Sequence, residues 1–280
     1  MPLTICAMAV SKVRRCWFPK LVPAVLMAWL APPAWAVSAN GIEEARLTGE
    51  LIEEKPADRV MHLQAGDRTF VALLEEARTA EKKGLLMVLP EAGLRADAGL
   101  SGKLLQALPV HGWSVLSLQL PVLEPEARHE EYWALLPNAV ARLRFAIAAM
   151  KGEGMENIVL AGHGFGAAAV LKYLGHSDES AVRGAILLSP WWPAQRGAQL
   201  SGWLTAVKVP VLDVYAEADA REIGQTALQR HLILKGRQGY RQWRITGVGH
   251  HYRGREALLA KRIYGWLERV ALGVEVKNHE

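Results

Sequence analysis

The stretch NIVLAGHGFGAAAVLKYL, residues 157–174, decides the fold of this 280-residue chain. Its first part, 158–161, is a short apolar run that is typical of a buried parallel strand. Three glycines at alternate positions, Gly162, Gly164 and Gly166, follow this run and predict a tight turn. The alanine-rich segment after them favours a helix. A strand, a glycine turn and a helix in immediate succession indicate an α/β fold.

The segments around this stretch alternate between predicted strands and predicted helices. Two apolar runs, 60–63 and 69–74, surround the turn-forming Ala65-Gly66-Asp67 and predict a hairpin. Further strands are predicted at 85–89, 113–118, 185–188, 209–216 and 240–246, and helices at 100–108, 140–150, 228–234 and 258–267. This alternation predicts a mostly parallel central sheet with helices on both faces.

The first 36 residues have the composition of an export signal. They contain four basic residues and no acid, an apolar core at 21–30, and the cleavage pattern Ala34-Trp35-Ala36. The apolar core is shorter than the roughly 20 residues that a membrane-spanning helix needs. We therefore predict a signal peptide over 1–36 and a periplasmic or secreted protein, exported by the general secretory or the twin-arginine route. An uncleaved membrane anchor is the alternative.

Removal of this segment changes both the charge and the cysteine content. The chain has 33 Lys and Arg against 28 Asp and Glu, and because four of the basic residues lie in the signal, 29 remain. The nearly neutral mature chain lacks the basic excess of a nucleic-acid-binding protein. Cys6 and Cys16 also lie in the signal, so disulfides and cysteine metal ligands are excluded from the mature chain.

No cofactor or metal motif is present in the sequence. The glycines follow G-x-G-x-G rather than the dinucleotide pattern G-x-G-x-x-G, and the next predicted strand ends without an acid for a ribose hydroxyl. His250 and His251 are adjacent, so their side chains diverge, and no third metal ligand lies nearby in sequence. We therefore expect neither a cofactor nor a metal ion.

Residues 58–270 resemble the α/β-hydrolase superfamily in the order of their predicted elements. GHGFG at 162–166 stands where the family has its nucleophile elbow. Residues 210–219 are similar to the strand that presents the family's acid, and 247–250 to the loop that presents its histidine. The stretches GWSVLSLQLP and GHGFGA also look like an exported bacterial branch that is known only as a domain of unknown function.

The resemblance implies a domain organisation and a fold class. A polar N-terminal arm at 37–57 precedes an α/β-hydrolase-like domain at 58–272, and 273–280 form a C-terminal tail. The segment between the sixth and seventh strands, 189–208, is too short for a large lid.

The resemblance also implies a catalytic site without its nucleophile, because Gly164 occupies that position. Asp219 and His250 would be the remaining acid and histidine, with His251 an alternative to His250. A serine triad needs an oxygen held against an imidazole that a carboxylate orients, and glycine supplies no oxygen. The Phe165 N–H would survive as a donor to a carbonyl or an anion, although Glu91 would repel an anion. A serine introduced at 164 is expected to point towards His250.

The expected binding cleft is lined by Glu91, Ala92, His163, Phe165, Trp191 and Trp192. The leading interpretation is an exported, noncatalytic protein that binds a small molecule, such as an acyl or carbonyl ligand, or a protein in the former active-site cleft. We expect no nucleic-acid partner and no membrane span after processing. The first alternative is a weak or unconventional ester or acyl hydrolase that uses Asp219 and His250, with water or a displaced serine, Ser117 or Ser189, as the nucleophile. The second is a structural partner of an envelope protein.

Overall fold

An eight-stranded β-sheet forms the centre of the structure, a computed structural model that describes residues 39–271. In chain order the strands are β1 (Val60–Ala65), β2 (Arg68–Glu75), β3 (Gly84–Leu89), β4 (Trp113–Leu118), β5 (Ile158–His163), β6 (Val182–Leu188), β7 (Val211–Ala218) and β8 (Arg241–Gly249). Their spatial order is β1-β2-β4-β3-β5-β6-β7-β8. Strand β2 is antiparallel to β1 and β4, and the other neighbouring pairs are parallel. The predicted signal peptide, 1–36, and tail, 273–280, lie outside the described residues.

Helices cover both faces of the sheet. They are α1 (Gly41–Glu54), α2 (Gly99–Ala107), α3 (Leu136–Gly152), α4 (Phe165–Leu174), α5 (Gly197–Ala206), α6 (Arg221–Leu234) and α7 (Glu256–Val270). Short 3₁₀ helices lie at Ala57–Arg59, Pro109–His111, His129–Leu135 and Ala194–Arg196. Within residues 39–271, the helices fall short of the length and hydrophobicity that a membrane-spanning helix requires.

The apolar core has two parts, one on each face of the sheet. Strand β3 contributes to both because successive side chains of a strand point to opposite faces. Leu85 and Met87 pack in the cluster that includes residues of α3 and α4. Leu86 and Val88 pack in the cluster that includes residues of α2 and α7. The continuous apolar run at 85–89 therefore identifies a strand buried on both faces, as predicted.

The predicted fold class is confirmed. The sheet is mostly parallel, both faces carry helices, and the chain between β6 and β7 contains only one 3₁₀ turn and the ten-residue α5, so no large lid covers the described domain. This is the α/β-hydrolase fold. The central unit is the predicted one, in which α4 begins directly after β5. A Cβ at Gly166 would lie 2.2 Å from the Leu89 carbonyl oxygen, so only glycine permits this close approach of α4 to β3.

The segment 37–57 was expected to be a polar arm, and this expectation is corrected by α1. Asn40 caps the helix, because its side-chain oxygen accepts hydrogen bonds from the backbone N–H groups of Ile42 and Glu43. Leu47 and Leu51, four residues apart, are both buried. Ion pairs join this segment to distant parts of the chain: Glu44–Arg142, Glu54–Arg95 and Lys55–Asp97.

Candidate functional site

The predicted site residues meet at one edge of the sheet, beyond the carboxyl ends of the parallel strands. Glu91 follows β3, Gly164 follows β5, Asp219 follows β7 and His250 follows β8. In a parallel sheet these strand ends lie side by side, which is why ligand sites of α/β folds form there. Residues that are far apart in the sequence are brought within hydrogen-bonding distance by this arrangement.

Asp219 and His250 form a hydrogen-bonded pair. His250 Nδ1 lies 2.7 Å from Asp219 Oδ1. The other carboxylate oxygen, Oδ2, accepts hydrogen bonds from Ser189 Oγ at 2.5 Å and from the Ala216 N–H at 2.8 Å. The ring of His251 stands edge-on to His250, with 5.1 Å between centroids, and the pairing with Asp219 belongs to His250. The structure thus distinguishes two histidines that the sequence left as alternatives.

Neither serine considered as a displaced nucleophile faces His250. Ser189 is fully buried, and its Oγ contacts Asp219 and the Tyr252 hydroxyl, 2.7 Å away. Ser117 is also buried and donates to the Ala96 carbonyl at 2.5 Å. Both hydroxyls serve as fixed hydrogen-bonding groups within the domain.

The carboxylate of Glu91 fills the space beside Gly164. Its Oε2 lies 2.5 Å from His250 Nε2. Its Oε1 accepts hydrogen bonds from the backbone N–H groups of Ala92 at 2.7 Å and Phe165 at 3.0 Å. A Cβ built on Gly164 would lie 1.5 Å from Oε2, so no side chain fits at 164 while Glu91 is in this position. The expectations of an open Phe165 N–H, and of room for a serine at 164, are therefore wrong.

The backbone at Gly164 favours glycine. Its φ is 50° and its ψ is −109°, a combination that side chains make costly. The Gly164 N–H donates to the Leu188 carbonyl at 2.9 Å, and its own carbonyl accepts from the Trp191 N–H at 3.2 Å. The turn is thus held on both sides, and the carboxylate of Glu91 occupies the room that the missing side chain leaves.

His250 is an imidazolium between two carboxylates. Burial disfavours its charged form, but the hydrogen bonds with Asp219 and Glu91 outweigh this and raise the pKa of His250 to about 9. Burial also disfavours the charged form of Glu91, but the hydrogen bond from His250 and the nearby imidazoles lower the pKa of Glu91 to about 2. The pKa of Asp219 is lowered against the effect of burial by the hydrogen bonds from His250 and Ser189. At neutral pH His250 therefore carries a proton and cannot accept another.

These pKa values make the free energy of unfolding depend on pH. The raised pKa of His250 contributes stability that is complete below pH 6.5 and is lost as the pH rises to about 9. The lowered pKa of Glu91 contributes stability that is complete above pH 4.5 and is lost as the pH falls to about 2. Both contributions are complete between pH 4.5 and 6.5.

His163 lies beneath His250 as a neutral, buried side chain. Its Nε2 is 2.9 Å from the His250 carbonyl oxygen, and the two rings stack with 4.6 Å between centroids. Burial lowers the pKa of His163 to about 4, so its contribution to stability is complete above pH 6.5 and is lost as the pH falls to about 4. His163 supports the ring of His250 from below.

Three histidines, His163, His250 and His251, lie close together in this site, whereas only His250 and His251 are adjacent in the sequence. His163, His250 and His251 each offer a ring nitrogen, and these nitrogens lie within 4.8 Å of one another. However, both nitrogens of His250 are already in hydrogen bonds with carboxylates, and Nε2 of His163 is bonded to a carbonyl. A zinc ion needs its ligand nitrogens at about 2.0–2.1 Å and would have to break these bonds. The cluster therefore fits a metal ion poorly.

A cavity of about 500 Å³ lies above Glu91. Its apolar walls come from Ala92, Leu94, Trp191, Ala220 and Ile223, and its polar lining comes from Glu91, His129, Glu130, Glu222, His250 and His251. Of the six predicted cleft residues, Glu91, Ala92 and Trp191 line this cavity. His163, Phe165 and Trp192 do not; all three are buried. Trp192 packs against Arg230 instead, with 5.8 Å between its ring centroid and the guanidinium carbon.

The family of the chain follows from its sequence. A profile of the family described as "Protein of unknown function (DUF3530)" matches residues 31–141 and 125–269, which together span most of the chain. The chain belongs to the DUF3530 family. The family's description gives no activity, and no curated protein matches the DUF3530 chain in sequence.

Solved structures of α/β-hydrolases resemble the DUF3530 protein in fold. Dienelactone hydrolase from Anabaena variabilis superposes with a TM-score of 0.62 at 15% identity, over 76% of this chain and 97% of its own. Est1E from Butyrivibrio proteoclasticus gives 0.61 at 14% identity, over 75% and 98%. A serine hydrolase without a lid from Xanthomonas campestris gives 0.55 at 14% identity, over 75% and 93%. At such identities the likeness shows the shared fold alone.

Three polar residues of the DUF3530 site were missed in the sequence. His129 and Glu130 come from the 3₁₀ helix at His129–Leu135, and Glu222 from the first turn of α6. The ring of His129 meets Trp191 edge-on, with 4.1 Å between centroids, and its Nε2 is 3.9 Å from Glu91 Oε1. No motif surrounds these residues, so only the folded chain reveals their position.

Proposed function

We propose that the chain is an exported, noncatalytic member of the α/β-hydrolase superfamily that binds a small molecule in the cavity above Glu91. In this proposal Gly164 stands at the nucleophile position of the superfamily. The observation that carries the proposal is the position of the Glu91 carboxylate. It occupies the space beside Gly164 and accepts hydrogen bonds from the N–H groups of Ala92 and Phe165.

Serine-type acyl transfer needs a nucleophile, a neutral imidazole and free donors for the developing oxyanion. Gly164 offers no attacking atom. The raised pKa of His250 keeps its imidazole protonated at neutral pH. The Phe165 and Ala92 N–H groups already donate to Glu91. Because loss of a single oxyanion donor costs a hydrolase about 10²–10³ in rate, the three changes together favour an inert site.

The cavity supports the binding part of the proposal. Its volume of about 500 Å³ is that of an ordinary small-molecule site, and it combines an apolar wall with a few polar groups. The ionic groups of Glu91, His250 and Asp219 hold the floor of this cavity in a fixed arrangement. A rigid, preformed floor favours ligand binding because little order has to be gained on association.

Exposure of the purified mature protein to a fluorophosphonate probe tests the noncatalytic part. Intact-mass analysis should find no adduct, and short acyl esters should hydrolyse no faster than in buffer. The variant Glu91→Gln should be equally inert, since it keeps the shape of residue 91 and adds no nucleophile. Stoichiometric labelling of any serine in the wild-type protein would contradict the proposal.

A hydrolase that uses Glu91 itself is the second candidate, because Glu91 Oε2 lies against His250 as an attacking oxygen would. Oε2 would form an ester bond to a saturated carbon while the leaving group departs with the proton of His250. Neutral His250 would then take a proton from water as that water attacks the ester carbonyl. The oxyanion would form on Oε1, between the Phe165 and Ala92 N–H groups, and alcohol release would restore the carboxylate and the imidazolium.

Incubation with styrene oxide in H₂¹⁸O separates the two candidates. The leading proposal predicts no diol product and no isotope in the peptide that contains Glu91. Transfer of ¹⁸O into that peptide, abolished in Glu91→Gln, would favour the second candidate.

A further inference from the structure

The charged groups around the cavity above Glu91 are almost all acidic. Glu130 and Glu222 line it together with Glu91, and no Lys or Arg is among its lining residues in the described chain. Among the described lining residues the one cationic group is His250, which already contacts two carboxylates at 2.5 and 2.7 Å. Glu91 is in an ion pair, but within residues 39–271 neither Glu130 nor Glu222 is. The cavity therefore has an excess of negative charge.

A buried ring nitrogen at the edge of the cavity lacks a partner. His129 Nε2 is inaccessible to solvent and has no hydrogen bond to any described residue. Burial lowers the pKa of His129, so the ring is neutral at pH 7 and one of its nitrogens is an acceptor. Its Nε2 lies 3.9 Å from Glu91 Oε1, which favours the tautomer that carries its proton on Nε2, so the neutral ring adds no positive charge to the cavity.

The remaining wall of the cavity is apolar. Trp191, Leu94 and Ile223 supply its large side chains. Trp191 is only 8% exposed and is held edge-on by His129, so its position is fixed before any ligand arrives. A ligand with an apolar body beside a polar head would match this division of the lining.

We propose that the cavity binds a small organic amine as its ammonium ion. The ammonium N–H groups lie among the carboxylates of Glu130 and Glu222, and the apolar body of the amine packs on Trp191. A carboxylate ligand would meet three carboxylates in the lining, and a neutral carbonyl would find the Phe165 and Ala92 N–H groups already occupied by Glu91. This inference rests on the proposed binding function of the cavity and replaces the acyl or carbonyl ligand expected from the sequence.

Three probes of one size and different charge test the inference on the mature protein. They are 2-phenylethylamine, 2-phenylethanol and phenylacetate, titrated by calorimetry at pH 7. The amine should bind with a Kd at least about tenfold below that of the alcohol, and phenylacetate should give no detectable heat. The affinity of the amine should fall as salt is added, because exposed charges are screened.

Variants assign the effect to the named carboxylates. The double variant Glu130→Gln with Glu222→Gln should weaken amine binding by about threefold to tenfold and leave binding of the alcohol unchanged, the range expected for two partly exposed ion pairs. Glu126→Gln, four residues from Glu130 and outside this cavity, should bind the amine like the wild-type protein.

Several results would overturn the inference. These are equal affinities for the amine and the alcohol, tighter binding of phenylacetate, no binding of the amine at millimolar concentration, or an unchanged amine affinity in the double variant. Fluorophosphonate labelling would overturn the noncatalytic function instead. A protein that stays unlabelled and shows no preference for the amine would refute this inference alone.

Discussion

Introduction of a serine at 164 should fail to create a hydrolase unless Glu91 is also removed. A Cβ at 164 would lie 1.5, 2.3 and 2.5 Å from the three terminal carboxylate atoms of Glu91, all far inside van der Waals contact. In Gly164→Ser the new side chain and the Glu91 carboxylate therefore compete for one position beside His250. In Gly164→Ser with Glu91→Ala, the new hydroxyl has room beside His250, and the Phe165 and Ala92 N–H groups become free.

The cost of each variant can be estimated from these contacts. A side chain at φ 50° and ψ −109° costs about 1–3 kcal/mol. Separation of the buried Glu91 carboxylate from His250 adds up to about 3–5 kcal/mol in the single variant. The double variant has no Glu91 carboxylate that could be displaced, and His250 keeps its pairing with Asp219. We therefore expect the double variant to be more stable than Gly164→Ser, whose melting temperature should fall by roughly 8–32 °C for a loss of about 4–8 kcal/mol, at about 2–4 °C per kcal/mol.

Fluorophosphonate labelling and thermal unfolding of six proteins test this reasoning. The wild-type protein, Gly164→Ser and Glu91→Ala should remain unlabelled, and the double variant should be labelled at the new serine. Addition of His250→Ala to the double variant should abolish labelling, whereas His251→Ala should not. Equal labelling of the single and double serine variants would refute the claim that Glu91 blocks the position. A folded double variant that is not labelled would show that Asp219 and His250 are no longer held in working geometry.

Three further predictions concern stability and processing. Chemical denaturation from pH 4 to pH 9 should find the highest free energy of unfolding near pH 6.5, because protonation of His163 destabilises the fold below that pH and deprotonation of His250 destabilises it above. In Glu91→Gln the free energy of unfolding should fall less between pH 6.5 and pH 9, and an unchanged fall would contradict the Glu91–His250 pair. Arg230→Met should destabilise the protein by about 3–5 kcal/mol, because it leaves the fully buried carboxylate of Asp213 without its ion-pair partner. Arg244→Met removes an exposed ion pair with Glu217 and should cost less than about 1 kcal/mol, and similar losses in the two variants would contradict this difference between buried and exposed pairs. Mass spectrometry of the exported protein should find Val37 at its N-terminus, and a terminus upstream of Leu21 would exclude cleavage at the predicted site.

Most of the fold could be predicted from the sequence because its signals are local. The run at 85–89 is apolar throughout, which identifies a central strand, and the glycines at 162–166 mark the turn between β5 and α4. Helix α1 was missed because it buries only Leu47 and Leu51 among many charged residues. Its partners Arg95 and Arg142 lie far along the chain, and such contacts leave no local pattern.

The candidate site was predictable in some of its members and not in its arrangement. Asp219 and His250 could be found because each follows a recognisable strand at the expected place in the chain order. The direction of the Glu91 side chain could not be found, because it depends on the room left by Gly164, 73 positions later in the sequence. The sequence nevertheless contained a signal: it has a carboxylate, Glu91, in the loop after β3 and a glycine, Gly164, in the turn after β5.

The amide proton of Phe165 tests the central claim most directly. It donates to Glu91 Oε1 at 3.0 Å, and a hydrogen bond to a carboxylate is shorter and stronger than one to a neutral acceptor. In NMR spectra of the wild-type protein this proton should therefore resonate downfield of the other amide protons in the first turn of α4. In Glu91→Ala it should move upfield, although Phe165 is 74 residues from the substitution. An unchanged Phe165 resonance would show that the carboxylate of Glu91 does not occupy this position.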